Sequence, residues 1–164
     1  MSTVTRWIAL LAVIFVAGTA AADGPRKISV LDDCDPTDPG WAPTGGCVLP
    51  DGEVTFGEFF AAAPIGHPAW RNDPSYLKLK AEKDVKVANE GGRDHTFTQV
   101  ANWGGGVVPP LNLPGQTTIP ECQDFGSSFL PPGGELRLEN LEPGVHKFQC
   151  CIHPWMRAEI RVGE

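Results

Sequence analysis

Close to the C-terminus a thiol, an imidazole and a thioether recur at three-residue steps. They are Cys150, His153 and Met156, in the stretch Phe148-Gln149-Cys150-Cys151-Ile152-His153-Pro154-Trp155-Met156. Thiolate, imidazole and thioether are ligands that a soft, redox-active metal takes up. Copper in a trigonal site uses one thiolate, two imidazoles and often a weak axial thioether. The Cys-x-x-His-x-x-Met loop supplies all of these except one imidazole. The missing partner stands upstream, in Asn89-Glu90-Gly91-Gly92-Arg93-Asp94-His95-Thr96-Phe97-Thr98. There His95 follows a Gly-Gly turn signal and opens an alternating run that reads as the start of a strand. A lone Cys-x-x-His is more often a structural pair, and a lone Met is more often core filler. The joint pattern is what points to metal.

These residues resemble the cupredoxins, the small blue copper proteins that include plastocyanin, pseudoazurin and amicyanin. The resemblance runs well over Tyr76 to Val162 and only loosely over residues 23 to 74. It implies an all-β Greek-key β-sandwich with long loops, and four copper ligands: His95, Cys150, His153 and Met156. It also implies that His153 lies at the surface within an apolar patch and serves as the electron's exit, so that a redox partner protein docks transiently near it. The chain departs from the family pattern in several places. Thr96 follows the first His where many members have Asn, and its hydroxyl is the group that would replace the amide as a link between the ligand loops. Cys151 stands beside Cys150 and offers a competing Cys-x-His, although Cys150 keeps the better spacing to Met156. The interval between His95 and Cys150 is long.

The elements that must position these ligands read as short strands between turn signals. Ile28 to Leu31, Val54 to Phe59, Tyr76 to Lys80, Asp84 to Asn89, His95 to Val100, Glu135 to Glu139, Val145 to Cys150 and Arg157 to Val162 all alternate. Tyr76 to Lys80 and Asp84 to Asn89 read as neighbouring strands. Asp32 to Pro50, Ala61 to Pro74 and the Gly- and Pro-rich span from Ala101 to about Pro132 read as loops, and no helical period stands out. This predicts one all-β sandwich domain. Residues 23–74 would contribute N-terminal strands and a disulfide-pinned loop, and residues 75–164 the copper-binding core.

Residues 1–22 read as a signal peptide. Arg6 provides the positive start, Trp7 to Ala17 is an apolar run too short to span a bilayer comfortably, and Ala20-Ala21-Ala22 is a cleavage site. The mature protein is therefore expected in the periplasm or secreted, without membrane insertion. Removing Arg6 with the leader leaves 12 Lys+Arg against 20 Asp+Glu, a formal charge of -8. That balance argues against nucleic acid and anionic membranes as partners and favours a partner with a basic surface. Five cysteines are an odd count. If Cys150 is committed to a metal, the other four can form two disulfides. Three pairings are formally open, and Cys34–Cys47 with Cys122–Cys151 is favoured because the first two bracket one Pro- and Gly-rich loop.

The function this predicts is an exported mononuclear type 1 (blue) copper protein, a monomer that carries single electrons between redox partners. The alternative is copper storage or delivery, but Met156 is the only Met besides Met1, and a Met-poor chain lacks the usual release clusters. An enzyme is not expected, because four His cannot furnish the additional copper centres of multicopper oxidases. His67, in a Gly-His-Pro loop, reads as solvated, and His146 as structural.

Overall fold

Alternating apolar and charged side chains can bury one face of a strand and leave the other wet. The chain uses this pattern to build two sheets. The computed structural model describes residues 26–163, so the predicted signal peptide, residues 1–22, lies outside the described residues. In chain order the strands are β1 (Arg26–Leu31), β2 (Arg71–Asp73), β3 (Tyr76–Leu79), β4 (Val85–Asn89), β5 (His95–Thr96), β6 (Thr98–Val100), β7 (Phe129–Leu130), β8 (Glu135–Leu138), β9 (Gly144–Gln149) and β10 (Arg157–Val162). One sheet has the order β2-β1-β4-β8, the other β3-β10-β9-β6, and β5 pairs with β7 alone.

Two parallel pairings give the sandwich its crossed connections. β1 runs parallel to β4, with Ile28 opposite Val87, and β10 runs parallel to β3, with Ile160 opposite Leu77. The inward residues of both sheets form one core. Ile28, Val30, Val85 and Val87 come from the first sheet, and Phe148, Ala158, Ile160 and Val162 from the second. The predicted Greek-key β-sandwich is therefore what the chain forms. β3 and β4, however, fall in different sheets rather than side by side. Only five residues separate them, and the chain crosses between the layers there.

The clearest departure lies at Val54 to Phe59, predicted as a strand. The chain instead forms helix α1 (Phe56–Ala62). Thr55 caps it with a reciprocal capping box: its hydroxyl accepts the Glu58 N–H, and the Glu58 carboxylate accepts the Thr55 N–H. Phe56, Phe59 and Phe60 then repeat at helical spacing, and Phe59 is buried. The same region carries a short 3-10 helix over Pro39–Thr44, whose cap, Asp38, accepts the N–H of Gly40 at 2.9 Å and of Phe56 at 2.6 Å. One carboxylate thus ties the loop to the start of α1. Trp41 stacks on Trp70 with ring centroids 5.7 Å apart, and Phe59 lies 4.8 Å from Trp70.

Two smaller corrections concern the strands near the candidate ligands. The predicted strand from His95 to Val100 is broken at Phe97, whose N–H turns to the Ser128 carbonyl while its ring stacks on Phe148 at 4.7 Å. β5 and β6 consequently serve different sheets. The span from Ala101 to Pro132 is not structureless: it holds short 3-10 turns at Pro109–Leu111, Pro120–Cys122 and Gly126–Ser128, and β7. Both favoured disulfides are present, Cys34–Cys47 and Cys122–Cys151, which leaves Cys150 as the free thiol. No helix among the described residues is long and apolar enough to cross a membrane.

Candidate metal centre

The candidate ligands meet where strands end. β9 finishes at Gln149, so Cys150 is the first residue of the loop to β10, and His95 is the first residue of β5. The loop closes on itself through Cys150 N–H to the Met156 carbonyl at 2.9 Å and Met156 N–H to the His153 carbonyl at 2.9 Å. This turn folds the Cys and His side chains to the same side. Cys150 Sγ lies 3.8 Å from His95 Nδ1 and 3.6 Å from His153 Nδ1, and the two Nδ1 atoms are 3.2 Å apart. His95, Cys150 and His153 are the one metal-capable group of this kind among the described residues. All three are buried, as is Met156.

A point equidistant from three atoms at those separations lies about 2.1 Å from each, matching the ~2.0–2.3 Å of metal–imidazole and metal–thiolate bonds. The donors therefore fit a single ion without rearrangement. Their chemistry, one sulfur and two imidazoles, suits copper or zinc and not a hard, oxygen-seeking cation.

The electrostatics favour a thiolate. Burial pushes the Cys150 thiol up, but its contacts with His153 and His95 outweigh that and hold it well below its ordinary value. The Sγ also accepts the N–H of Thr96 at 3.3 Å and of His153 at 3.4 Å. Both N–H groups would stabilise negative charge on the sulfur. The two imidazoles behave differently. Burial pulls His153 down, and its contact with Cys150 does not restore it. Burial acts on His95 in the same direction, yet its hydrogen bonds to Asp32 and Cys150 raise it to about 9.

Asp32 is the functional neighbour that sequence reasoning missed. It is the first residue after β1, and its Oδ2 lies 2.8 Å from His95 Nε2, with both side chains fully buried. Its carboxylate also accepts the N–H groups of Gly92 at 2.9 Å, Arg93 at 3.0 Å and Cys34 at 3.4 Å. Burial pushes Asp32 up, but the His95 hydrogen bond and charge and these N–H groups hold it below the usual carboxylate range. Gly91 is required here by close approach, because a Cβ on it would lie 2.1 Å from Asp32 Oδ2.

Thr96 does link the two ligand segments: its hydroxyl accepts the Cys151 N–H at 2.8 Å. The neighbouring Cys151 points to the other side and is bonded to Cys122, which removes it as a competing thiolate. His153 is a correction. The resemblance implied a surface imidazole, but His153 is 6 % exposed. Phe59 of α1 covers it edge-on at 5.7 Å, and Trp155 packs on it at the same distance. What reaches His153 is an apolar cavity of about 330 Å³, lined by Trp41, Phe59, Val108, Leu111 and Ile152. The Gly104 to Pro110 segment does border this end, since Val107 N–H binds the Cys151 carbonyl at 2.8 Å. His67 stays in its loop, edge-on to Trp70 at 5.7 Å, and is not among the convergent donors. His146 is held near the far end of β9 by Gln99 and the Glu142 carbonyl, a structural role.

No protein-family model matches the chain, and no curated protein matches it either. Solved structures do match. A purple cupredoxin from Nitrosopumilus maritimus is 17% identical with a TM-score of 0.46, covering 84% of this chain and 99% of its own. Oxidised plastocyanin from Dryopteris crassirhizoma is 15% identical with a TM-score of 0.42, covering 83% and 98%. An amicyanin variant in its Cu(I) form is 18% identical with a TM-score of 0.38, covering 56% and 72%. These neighbours are cupredoxins. The sandwich itself is defined by its own strand order, and the candidate centre by its own donors.

Proposed function

We propose that this chain is an exported mononuclear copper protein that carries single electrons between redox partners, and that it is not an enzyme. His95, Cys150 and His153 would hold the ion, with Met156 as a further, weaker thioether donor. The observation that carries the reading is the buried triangle of Cys150 Sγ, His95 Nδ1 and His153 Nδ1, sized for one ion. Copper bound by such donors supplies a one-electron couple. The chain's own part is to hold the donors still. Cys150 Sγ accepts two backbone N–H groups and contacts both imidazoles, His95 is held by Asp32, and His153 packs in a three-ring cluster with Phe59 and Trp155. Preorganised donors keep reorganisation small, which suits rapid electron transfer. Residues 1–22 would direct export, and the chain from residue 23 would act as one monomeric domain. A partner would dock where the apolar cavity beside His153 opens, next to the half-exposed Phe60.

The test is the visible spectrum of the mature protein after addition of Cu(II), beside Cys150→Ser. The expected result is an intense thiolate-to-copper band that bleaches with ascorbate and is missing from the variant. A colourless protein that retains copper only as Cu(I) overturns electron transfer and supports storage or delivery.

A further inference from the structure

Asp32 has no place in the bare ligand set, yet the fold spends much to keep it there. Its side chain is fully buried, and three backbone N–H groups and one imidazole converge on its two oxygens. Arg93, whose backbone N–H binds this carboxylate, turns its guanidinium elsewhere. The Arg93 guanidinium donates to the carbonyl and hydroxyl of Thr44 and lies 5.0 Å over the Trp41 ring. The carboxylate is thus an anion buried on the outer side of His95, whose other nitrogen faces the donor triangle. A carboxylate accepts hydrogen bonds and does not donate them, so the one proton that a neutral, metal-binding ring keeps belongs on Nε2, and Nδ1 is the nitrogen a metal would take.

Resting on the copper-carrier reading, we propose that Asp32 is a positioning residue that lowers the reduction potential of the centre, acting through His95. The charge count gives the direction. Cu(II), the Cys150 thiolate and the Asp32 carboxylate sum to zero, and adding one electron leaves a net charge of minus one in a buried site. Low dielectric penalises that charge, so the oxidised form is favoured. With an uncharged residue at position 32 the same electron converts a buried plus one into a neutral site, and reduction becomes easier. A hydrogen bond to carboxylate also makes the imidazole a stronger donor, which favours Cu(II) over Cu(I). Both effects have the same sign.

The experiment compares the wild type with Asp32→Asn, which is close in size and keeps an oxygen for a backbone N–H. The ratio of Cu(I) to Cu(II) affinity is measured by chelator competition, and the midpoint potential by spectroelectrochemistry. The expected change is at least about tenfold in favour of Cu(I), equivalent to a rise of about 59 mV for a one-electron couple. A merely structural role would lower stability and leave that ratio in place. A second measurement needs no variant: in the Cu(I)-loaded wild type, 15N NMR should show His95 protonated at Nε2, with that proton slow to exchange. A thiolate band that persists in Asp32→Asn with a ratio changed less than twofold overturns this inference alone. So does a His95 Nε2 without a protected proton, which decides the matter if the variant fails to fold. A wild type without any copper–thiolate band overturns the carrier reading and this inference together.

Discussion

Phe59→Ala tests whether α1 is a true cover for His153. Phe59 is 4 % exposed, and its ring sits 4.8 Å from Trp70, 5.3 Å from Trp41, 5.7 Å from His153 and 5.9 Å from Trp155. Truncating a buried Phe to Ala removes its transfer free energy and leaves a cavity, together about 3–5 kcal/mol. For a domain of this size that lowers Tm by roughly 10–15 °C. The cavity would also merge with the apolar space that reaches His153, so water should gain access to the imidazole. Phe60→Ala is the matched control: it lies on the same helix, is 49 % exposed, and should cost less than about 1 kcal/mol. Thermal unfolding by circular dichroism reads stability, and hydrogen–deuterium exchange at the His C2 position, followed by mass spectrometry, reads His153 exposure. Phe59→Ala should accelerate exchange at His153 and leave unchanged His146, which Gln99 and the Glu142 carbonyl hold away from the Phe59 ring. Equal Tm values for the two variants, with no change at His153, would refute the covering role of α1.

Three further outcomes follow from the packing. Replacing Cys122 and Cys151 together by Ala opens a 29-residue loop and should cost about 3–4 kcal/mol, read as a lowered denaturant midpoint. Thr96→Val removes the acceptor for the buried Cys151 N–H and should cost about 1–3 kcal/mol in urea unfolding, whereas Thr96→Ser should recover most of it. Gly57→Ala should stabilise α1 by about 0.5–1 kcal/mol, seen as a higher Tm, since a Cβ there meets only Thr55 Oγ1 at 4.0 Å.

The convergence of His95, Cys150 and His153 was legible in the sequence because most of the candidate set is local. Cys150, His153 and Met156 share one loop, and His95 announces itself after a Gly-Gly turn. Pairing by elimination also worked for the cysteines, since Cys150 is the free thiol. Asp32 was not legible. It stands 63 residues from His95 in an Asp-rich turn, where an acid ordinarily faces water, and only the parallel pairing of β1 with β4 carries it to the site. Helix α1 was hidden by a competing period. Val54 and Phe56 alternate like a strand, while the Thr55 to Glu58 capping box and the Phe56, Phe59, Phe60 spacing carry the stronger signal. The surface position of His153 failed for a related reason. The segment that matches the cupredoxin pattern only loosely is the one that folds over it.

These features share one geometric origin. Asp32 follows the last residue of β1, Cys150 follows the last residue of β9, and His95 opens β5, while β1 and β9 belong to opposite sheets. The centre therefore spans the two layers at one end of the sandwich, and its dimensions depend on how those layers are held. The Phe97–Phe148 stack fixes their interior, the Thr96 to Cys151 hydrogen bond joins the two ligand segments, and the Cys122–Cys151 disulfide anchors the loop behind Cys150. The residues from Cys34 to Trp70 add the cover, enclosing His153 with rings rather than leaving it in solvent. Enclosure lowers the local dielectric, and a lower dielectric enlarges the effect of any fixed charge nearby. The cover and the Asp32 carboxylate therefore act together: opening the site at Phe59 should reduce the shift in potential produced by Asp32→Asn. The double variant, measured against both single ones, should show that coupling, and additive shifts would mean that the cover and the charge act independently.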